Sequence, residues 1–267
     1  MLIIEGLVFG VVQALSEFLP ISSSGHLIIL HKIWPSPLLD NLTFDTILHG
    51  GTLLAILWFF KKDWIEIIVG LWKSLVSGQS SAMSRLGWTL VVATIPGALA
   101  GFFLEHILEQ VFRQVWVVAL MLVVFALILA WVDKLSRKNQ NFESITVSRG
   151  WWIGVLQALA LIPGVSRSGI TTTGGLLFGL TRASAVRFSF LLSAPIIAGA
   201  FLKQLLEVSW AALPNQLAWA LVVGFLASAG VGYLVIKYLL RFISSNSFKV
   251  FIWYRIILAV LLIIFFV

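Results

Sequence analysis

Two stretches 144 residues apart begin alike and break at the same place, and this pairing narrows the possible folds more than any other feature of the chain. Gly10-Val11-Val12-Gln13-Ala14-Leu15 recurs as Gly154-Val155-Leu156-Gln157-Ala158-Leu159. Without a gap, the same offset sets Ser22 on Ser166, Ser24 on Ser168, Gly25 on Gly169 and Phe44 on Phe188. Eight of the 16 positions from Gly10 to Gly25 are identical, so the chain carries an internal repeat of two copies, too few for a solenoid. In each copy an apolar run (residues 2–19 and 151–162) meets Pro, Gly and several Ser, then resumes as a short apolar piece (26–34 and 170–180). Helix, polar break and second short helix form the pattern of a re-entrant hairpin, whose irregular backbone must be sheltered by protein or line a polar cavity.

Composition says which solvent surrounds these hairpins. Of 267 residues 60% are hydrophobic and 11% charged, with mean hydropathy +1.04. A soluble domain of this size needs far more polar surface. Six segments approach the length that crosses a bilayer: 43–60, 88–104, 115–132, 184–206, 216–240 and 248–267. The 12 Trp and 20 Phe suit lipid-facing and interfacial positions. With no cysteine, disulfides, thiolate metal sites and cysteine nucleophiles are excluded. The N-terminus shows neither a basic n-region nor a small-residue cleavage site, so no removable signal peptide is expected.

The expected fold is therefore an all-α polytopic membrane protein with about six transmembrane helices and two opposed re-entrant helical hairpins. Residues 1–133 form the first repeat, 134–149 a polar cytoplasmic linker and 150–267 the second repeat. Each half holds one hairpin and three spans; three is odd, so the second half is inserted inverted, which sets the two breaks opposite each other near the bilayer midplane. The charges give an independent reading. Net charge is +7, and the basic residues sit between apolar segments, which argues against nucleic acid as a partner. The linkers 61–87, 133–149 and 241–249 hold ten Lys and Arg, whereas the opposite side holds Lys32, Arg113 and Lys203. The richer side is the cytoplasmic one by the positive-inside rule, which puts both termini outside.

The breaks carry the chemistry. Gln13 and Glu17, four apart, share a helical face, and a carboxylate in an apolar helix needs a partner or a metal. Three residues on, Pro20 and Gly25 bracket Ser22, Ser23 and Ser24 and lead into His26. Carboxylate, hydroxyls and imidazole within ten residues supply a base, a nucleophile and an acid. Any one serine alone reads better as a cap for backbone groups freed at the break; Glu17 and His26 beside them shift the balance toward chemistry. The second break, Pro163-Gly164-Val165-Ser166-Arg167-Ser168-Gly169-Ile170-Thr171, sets an arginine among serines and glycines where a helix begins, a cradle for phosphate oxygens. The repeat puts Arg167 at the position of Ser23, so inverted symmetry faces a hydroxyl nucleophile with a phosphate clamp. Thr171 is a further phosphate donor. Asp45 and His49, four apart, either face the site or pair with each other. Arg187 and Arg255 are assigned to helix packing or lipid headgroups, and Glu105, His106 and Glu109 to a solvated loop.

These motifs resemble the bacitracin-resistance type of undecaprenyl-diphosphate phosphatase. That family has Glu or Gln followed four residues later by Glu, then Pro-x-Ser-Ser-Ser/Thr-Gly-His, and in its second half Pro-Gly-x-Ser-Arg-Ser-x-x-Thr. Here those are Gln13 and Glu17, Pro20 to His26, and Pro163 to Thr171, and the similarity covers essentially the whole chain. The resemblance implies hydrolysis of a polyprenyl diphosphate carrier lipid to the monophosphate and inorganic phosphate at the outer face of the bacterial plasma membrane. It also implies recycling of that lipid for the cell wall, and bacitracin resistance. It further implies a divalent cation, Mg2+ or Ca2+, with Glu17 and Gln13 as ligands. Glu17, Ser23, His26 and Arg167 are then the catalytic set, with Ser23 and His26 rival nucleophiles. Gln13, Ser22, Ser24, Gly164, Ser166, Ser168, Gly169 and Thr171 bind substrate. A homodimer is compatible with the sequence, which sets no oligomeric state. The competing class is a transporter or flippase of the carrier lipid, since inverted repeats with opposed broken helices are common in transporters.

Overall fold

The computed structural model describes residues 1–36, 39, 42–112, 114–208 and 214–267. The described residues are helical almost throughout, as backbone in an apolar solvent must be to satisfy its own donors and acceptors. The first half runs α1 (Leu2–Phe18), α2 (Ser23–Ile33), α3 (Leu42–Phe59), α4 (Lys61–Ser77), α5 (Ala82–Phe112) and α6 (Val115–Leu135). The second runs α7 (Val147–Ala158), a 3-10 turn Leu159–Leu161, α8 (Arg167–Leu177), α9 (Arg182–Glu207), α10 (Asn215–Ser245) and α11 (Lys249–Phe266). Among the described residues five helices are long and apolar enough to cross a membrane: α5, α6, α9, α10 and α11. The segment expected at 43–60 forms α3, apolar but shorter. Trp58, Trp72, Phe102, Trp131, Trp219 and Trp253 lie exposed on the outside, where a soluble protein would carry charge.

Three expectations need correction. The short helices after the breaks start earlier than residues 26 and 170, because Ser23 and Arg167 already occupy their first turns. Helix α5 continues to Phe112, so Glu105, His106 and Glu109 belong to a helix, not a loop; their side chains lie outside the described set. The linker 61–87 contains α4, whose Ile65, Ile68, Trp72 and Val76 are exposed while Ile67 and Gly70 pack inward.

Packing crosses between the halves. Helix α1 packs chiefly on α10, and its repeat partner α7 on α5. Glycines make both contacts possible at corresponding positions: a Cβ on Gly10 would lie 2.3 Å from the Gly224 carbonyl oxygen of α10, and one on Gly154 2.2 Å from the Ala93 carbonyl oxygen of α5. One turn earlier, Gly6 lies equally close to the Ala220 carbonyl and Gly150 to the Thr89 methyl group. Small residues four apart let helix backbones touch, which is how apolar helices associate where burial from water gives no drive. Helices α3 and α9 also pack together, as do α6 and α11.

At one end of the bundle, Arg182 grips Asp133 with Nε at 2.7 Å and Nη2 at 3.1 Å. Arg187 pairs with Asp63 and stacks its guanidinium 4.5 Å from the Phe142 ring. This network ties the start of α9 to the chain around residues 61–63 and 133–142, so the two largest basic linkers share an end.

Candidate active site

Both breaks are built alike at atomic detail. Helix α1 ends at Phe18 and Leu19 turns extended. Ser22 then adopts φ 76°, ψ 97° as N-cap of α2, and Ser166 adopts φ 74°, ψ 111° as N-cap of α8. Positive φ at a residue with a Cβ costs on the order of 1–3 kcal/mol and persists only where the surroundings enforce it. Each Ser hydroxyl accepts from a backbone amide three residues on, Gly25 at 3.4 Å and Gly169 at 3.2 Å. Each also bonds the next serine but one: Ser22 to Ser24 at 3.3 Å, Ser166 to Ser168 at 3.2 Å.

The loops then clasp each other. The Gly164 amide donates to Ser22 Oγ at 3.2 Å, and Ser168 Oγ donates to the Leu19 carbonyl at 3.1 Å. Gly164, at φ 96°, presses against α6 so closely that a Cβ would lie 2.6 Å from the Val118 carbonyl oxygen. Behind both loops sits Arg255 of α11, fully buried. Its guanidinium donates to the carbonyls of Pro20 (3.1 Å), Gly164 (2.8 Å), Val165 (3.1 Å), Leu122 (3.0 Å) and Met121 (3.3 Å). Carbonyls freed by two helix breaks thus find their donors in one side chain, and the packing role expected of Arg255 takes this specific form.

Glu17 is the hub. One carboxylate oxygen takes a hydrogen bond from Arg167 Nη2. The other takes one from Ser23 Oγ at 2.6 Å and one from Gln13 Nε2 at 3.2 Å, with His49 Nε2 at 3.4 Å. So the structure brings Ser23 and Arg167 together through the carboxylate between them. A cavity of about 230 Å³ opens here, walled by Glu17, Ser22, Ser23, Ser24, His49, Ser166 and Arg167 on its polar side. Gly97, Ala160, Leu161, Ile196, Ile197 and Ala200 make its apolar side, with Thr46 and Gln157 among them. The N-termini of α2 and α8 both border it, adding unsatisfied amides and positive potential.

Other expected site residues lie elsewhere. His26 does not wall the cavity: Nδ1 donates to the Ser22 carbonyl at 2.7 Å, and Nε2 meets the Tyr254 hydroxyl at 2.7 Å, with the rings stacked 5.7 Å apart. Gly164, Ser168 and Gly169 stand behind the wall as part of the second break, and Gln13 stands behind it on α1, bonded to Glu17. Thr171, fully buried, donates its hydroxyl to the Arg167 carbonyl (2.7 Å) and lies within hydrogen-bond distance of the Ser189 hydroxyl (2.6 Å). Of the Asp45–His49 pair, His49 faces the site and anchors Nδ1 on the Asp45 backbone carbonyl at 2.8 Å, whereas the Asp45 carboxylate binds His31 at 3.1 Å. Gln157 is the group sequence reasoning passed over, although its alignment with Gln13 was a signal.

A family model described as bacitracin resistance protein BacA matches residues 6–261. An undecaprenyl-diphosphatase of Moorella thermoacetica is 44% identical over 265 residues, covering 98% of this chain and 97% of the relative. The undecaprenyl-diphosphatase of Caldicellulosiruptor bescii is 44% identical over 269 residues (98% and 97%), and that of Micrococcus luteus 42% over 261 (96% and 94%).

Proposed function

Since this chain belongs to the bacitracin resistance protein BacA family, we propose that it hydrolyses undecaprenyl diphosphate to the monophosphate and inorganic phosphate in the cavity between its two helix breaks. This returns the cell-wall carrier lipid to use and withdraws the diphosphate that bacitracin sequesters. The observation that carries the reading is the Ser23 hydroxyl hydrogen-bonded to Glu17 at 2.6 Å while Arg167 holds the other carboxylate oxygen. Nucleophile, base and phosphate clamp meet at one carboxylate.

In the proposed reaction Ser23 Oγ bonds to the terminal phosphorus as the bridging P–O bond breaks. Glu17 takes the hydroxyl proton and passes it to the leaving prenyl phosphate. Glu17 then deprotonates a water, which attacks the phosphoserine, frees inorganic phosphate and returns a proton to Ser23. Arg167, Ser166 and the amides at the starts of α2 and α8 carry the charge on the phosphoryl oxygens, where catalysis of phosphoryl transfer mostly lies. His26 acts by position, fixing the Ser22 carbonyl at the break.

The residues present suit a divalent cation. Gln13 Oε1 is buried without a hydrogen-bond partner, and with its amide turned, so that Oε1 rather than Nε2 faced Glu17, it would join the carboxylate as an oxygen ligand of the kind Mg2+ or Ca2+ takes. Among the described residues no three His, Cys, Asp or Glu cluster as a ready-made cage, so Gln13, Glu17 and substrate phosphate oxygens would hold the ion together. When bound it supplies positive charge against the diphosphate.

Helices α2 and α7, at 11 and 12 residues, reach only about 18 Å at ~1.5 Å per residue, short of the ~30 Å hydrocarbon core. That supports α1–α2 and α7–α8 as re-entrant hairpins and α3, α5, α6, α9, α10 and α11 as six spans. Three spans per half would invert the second half, and the Lys and Arg bias of the linkers would place them in the cytoplasm, with the site facing outward. Phosphate release from a long-chain prenyl diphosphate by the purified protein, with and without chelator, tests the function. Release abolished by chelator and restored by Mg2+ or Ca2+ is expected; no release under any cation condition would reject it.

A further inference from the structure

We propose that Gln157 is a substrate-binding residue that grips the lipid-side phosphate of the diphosphate, the one that leaves with the prenyl chain. This rests on the phosphatase reading above. Gln157 lines the cavity yet is 2% exposed, and neither Nε2 nor Oε1 has a hydrogen-bond partner. A buried amide with both ends unsatisfied costs free energy unless something arrives to pair with it.

The repeat explains why it is unpaired. Its counterpart Gln13 spends Nε2 on Glu17, but the position matching Glu17 in the second half is Leu161, which offers no acceptor. The second copy keeps the amide and drops its partner, and the space in front of it is the substrate cavity. Gly97 of α5 leaves room: a Cβ there would lie 3.2 Å from Nε2.

Position selects which phosphate it serves. Ser23, Glu17 and Arg167 take the terminal phosphate on the polar wall. Gln157 stands among Gly97, Ala160, Leu161 and Ile196, the apolar wall of the cavity, which suits the prenyl end of the substrate. There Nε2 donates to oxygens of the lipid-side phosphate, where negative charge grows as the bridging bond breaks. A neutral donor suits a group that must be released afterwards.

The test is Gln157→Leu in the purified full-length protein, read by steady-state kinetics, product inhibition and Tm. If the amide binds substrate, kcat/KM for a long-chain prenyl diphosphate falls by roughly 10- to 100-fold, the worth of a hydrogen bond to a charged group. Inhibition by prenyl monophosphate weakens, inhibition by inorganic phosphate stays, and Tm is unchanged or higher because an orphaned amide has been removed. Wild-type kinetics in Gln157→Leu would overturn the proposal, as would a fallen Tm that accounts for the lost activity. Equal weakening of both product inhibitions would overturn the assignment to the lipid-side phosphate. Wild-type protein without phosphate release would instead reject the phosphatase reading, so the two failures are distinct.

Discussion

Glu17 meets four side chains at once, so its substitutions separate charge from shape. Glu17→Gln keeps the size and can still accept from Ser23, but it loses the proposed base and the counter-charge of Arg167. A fall in kcat of about 10²–10⁴ is expected, measured as phosphate release with substrate saturating. Arg167→Lys keeps the charge and loses the fork, so roughly 10²-fold of kcat/KM should go with it. Arg255 should behave differently. Five carbonyls depend on it, and three donors on one ammonium cannot reach them all. Arg255→Lys should therefore cost about 3 kcal/mol or more of stability, seen as a lower Tm in detergent alongside lost activity. At this scale the sequence already paired Ser23 with Arg167 and grouped both with Glu17. The inward turn of His49 and the outward turn of His26 were not legible. Which way a helical side chain faces in a buried site depends on neighbours such as Tyr254, 228 positions away.

Between elements, the two glycine contacts are each other's counterparts. Gly10→Leu should push α1 off α10, and Gly154→Leu should push α7 off α5, each costing about 1–3 kcal/mol or more by overpacking against backbone. Comparable Tm losses in the two variants are expected, and they are checked by thermal unfolding of each alone. The repeat made the matched helices α2 and α8 legible, both 11 residues long with strained serine caps. Their starts were set too late because the polar letters Ser-Ser-Ser and Ser-Arg-Ser read as loop, although Ser23 and Arg167 lie in first turns where polar groups cap. Helix α4 was missed for a related reason: Lys61, Lys62, Asp63 and Lys73 lower its hydropathy, while its apolar face needs only one side covered. The crossed packing of α1 on α10 and α7 on α5 was not legible either, since it joins residues as far apart as Gly10 and Gly224, and Ala93 and Gly154.

For the whole molecule, the proposed inversion of the halves predicts where each end lies. The chain has no native cysteine, so Lys138→Cys and Gln216→Cys report cleanly. A membrane-impermeant thiol reagent should reach the first only from the cytoplasmic side and the second only from outside; the reverse pattern would overturn the orientation. The two breaks border one cavity and are held together by Ser22, Ser168 and Arg255, as the proposed inversion requires. The claim at the centre is that this cavity hydrolyses the diphosphate through Ser23. Phosphate release by purified Ser23→Ala, compared with wild type at equal Tm, tests that most directly. A loss of at least about a thousandfold is predicted; near-normal release by the folded variant would contradict the account.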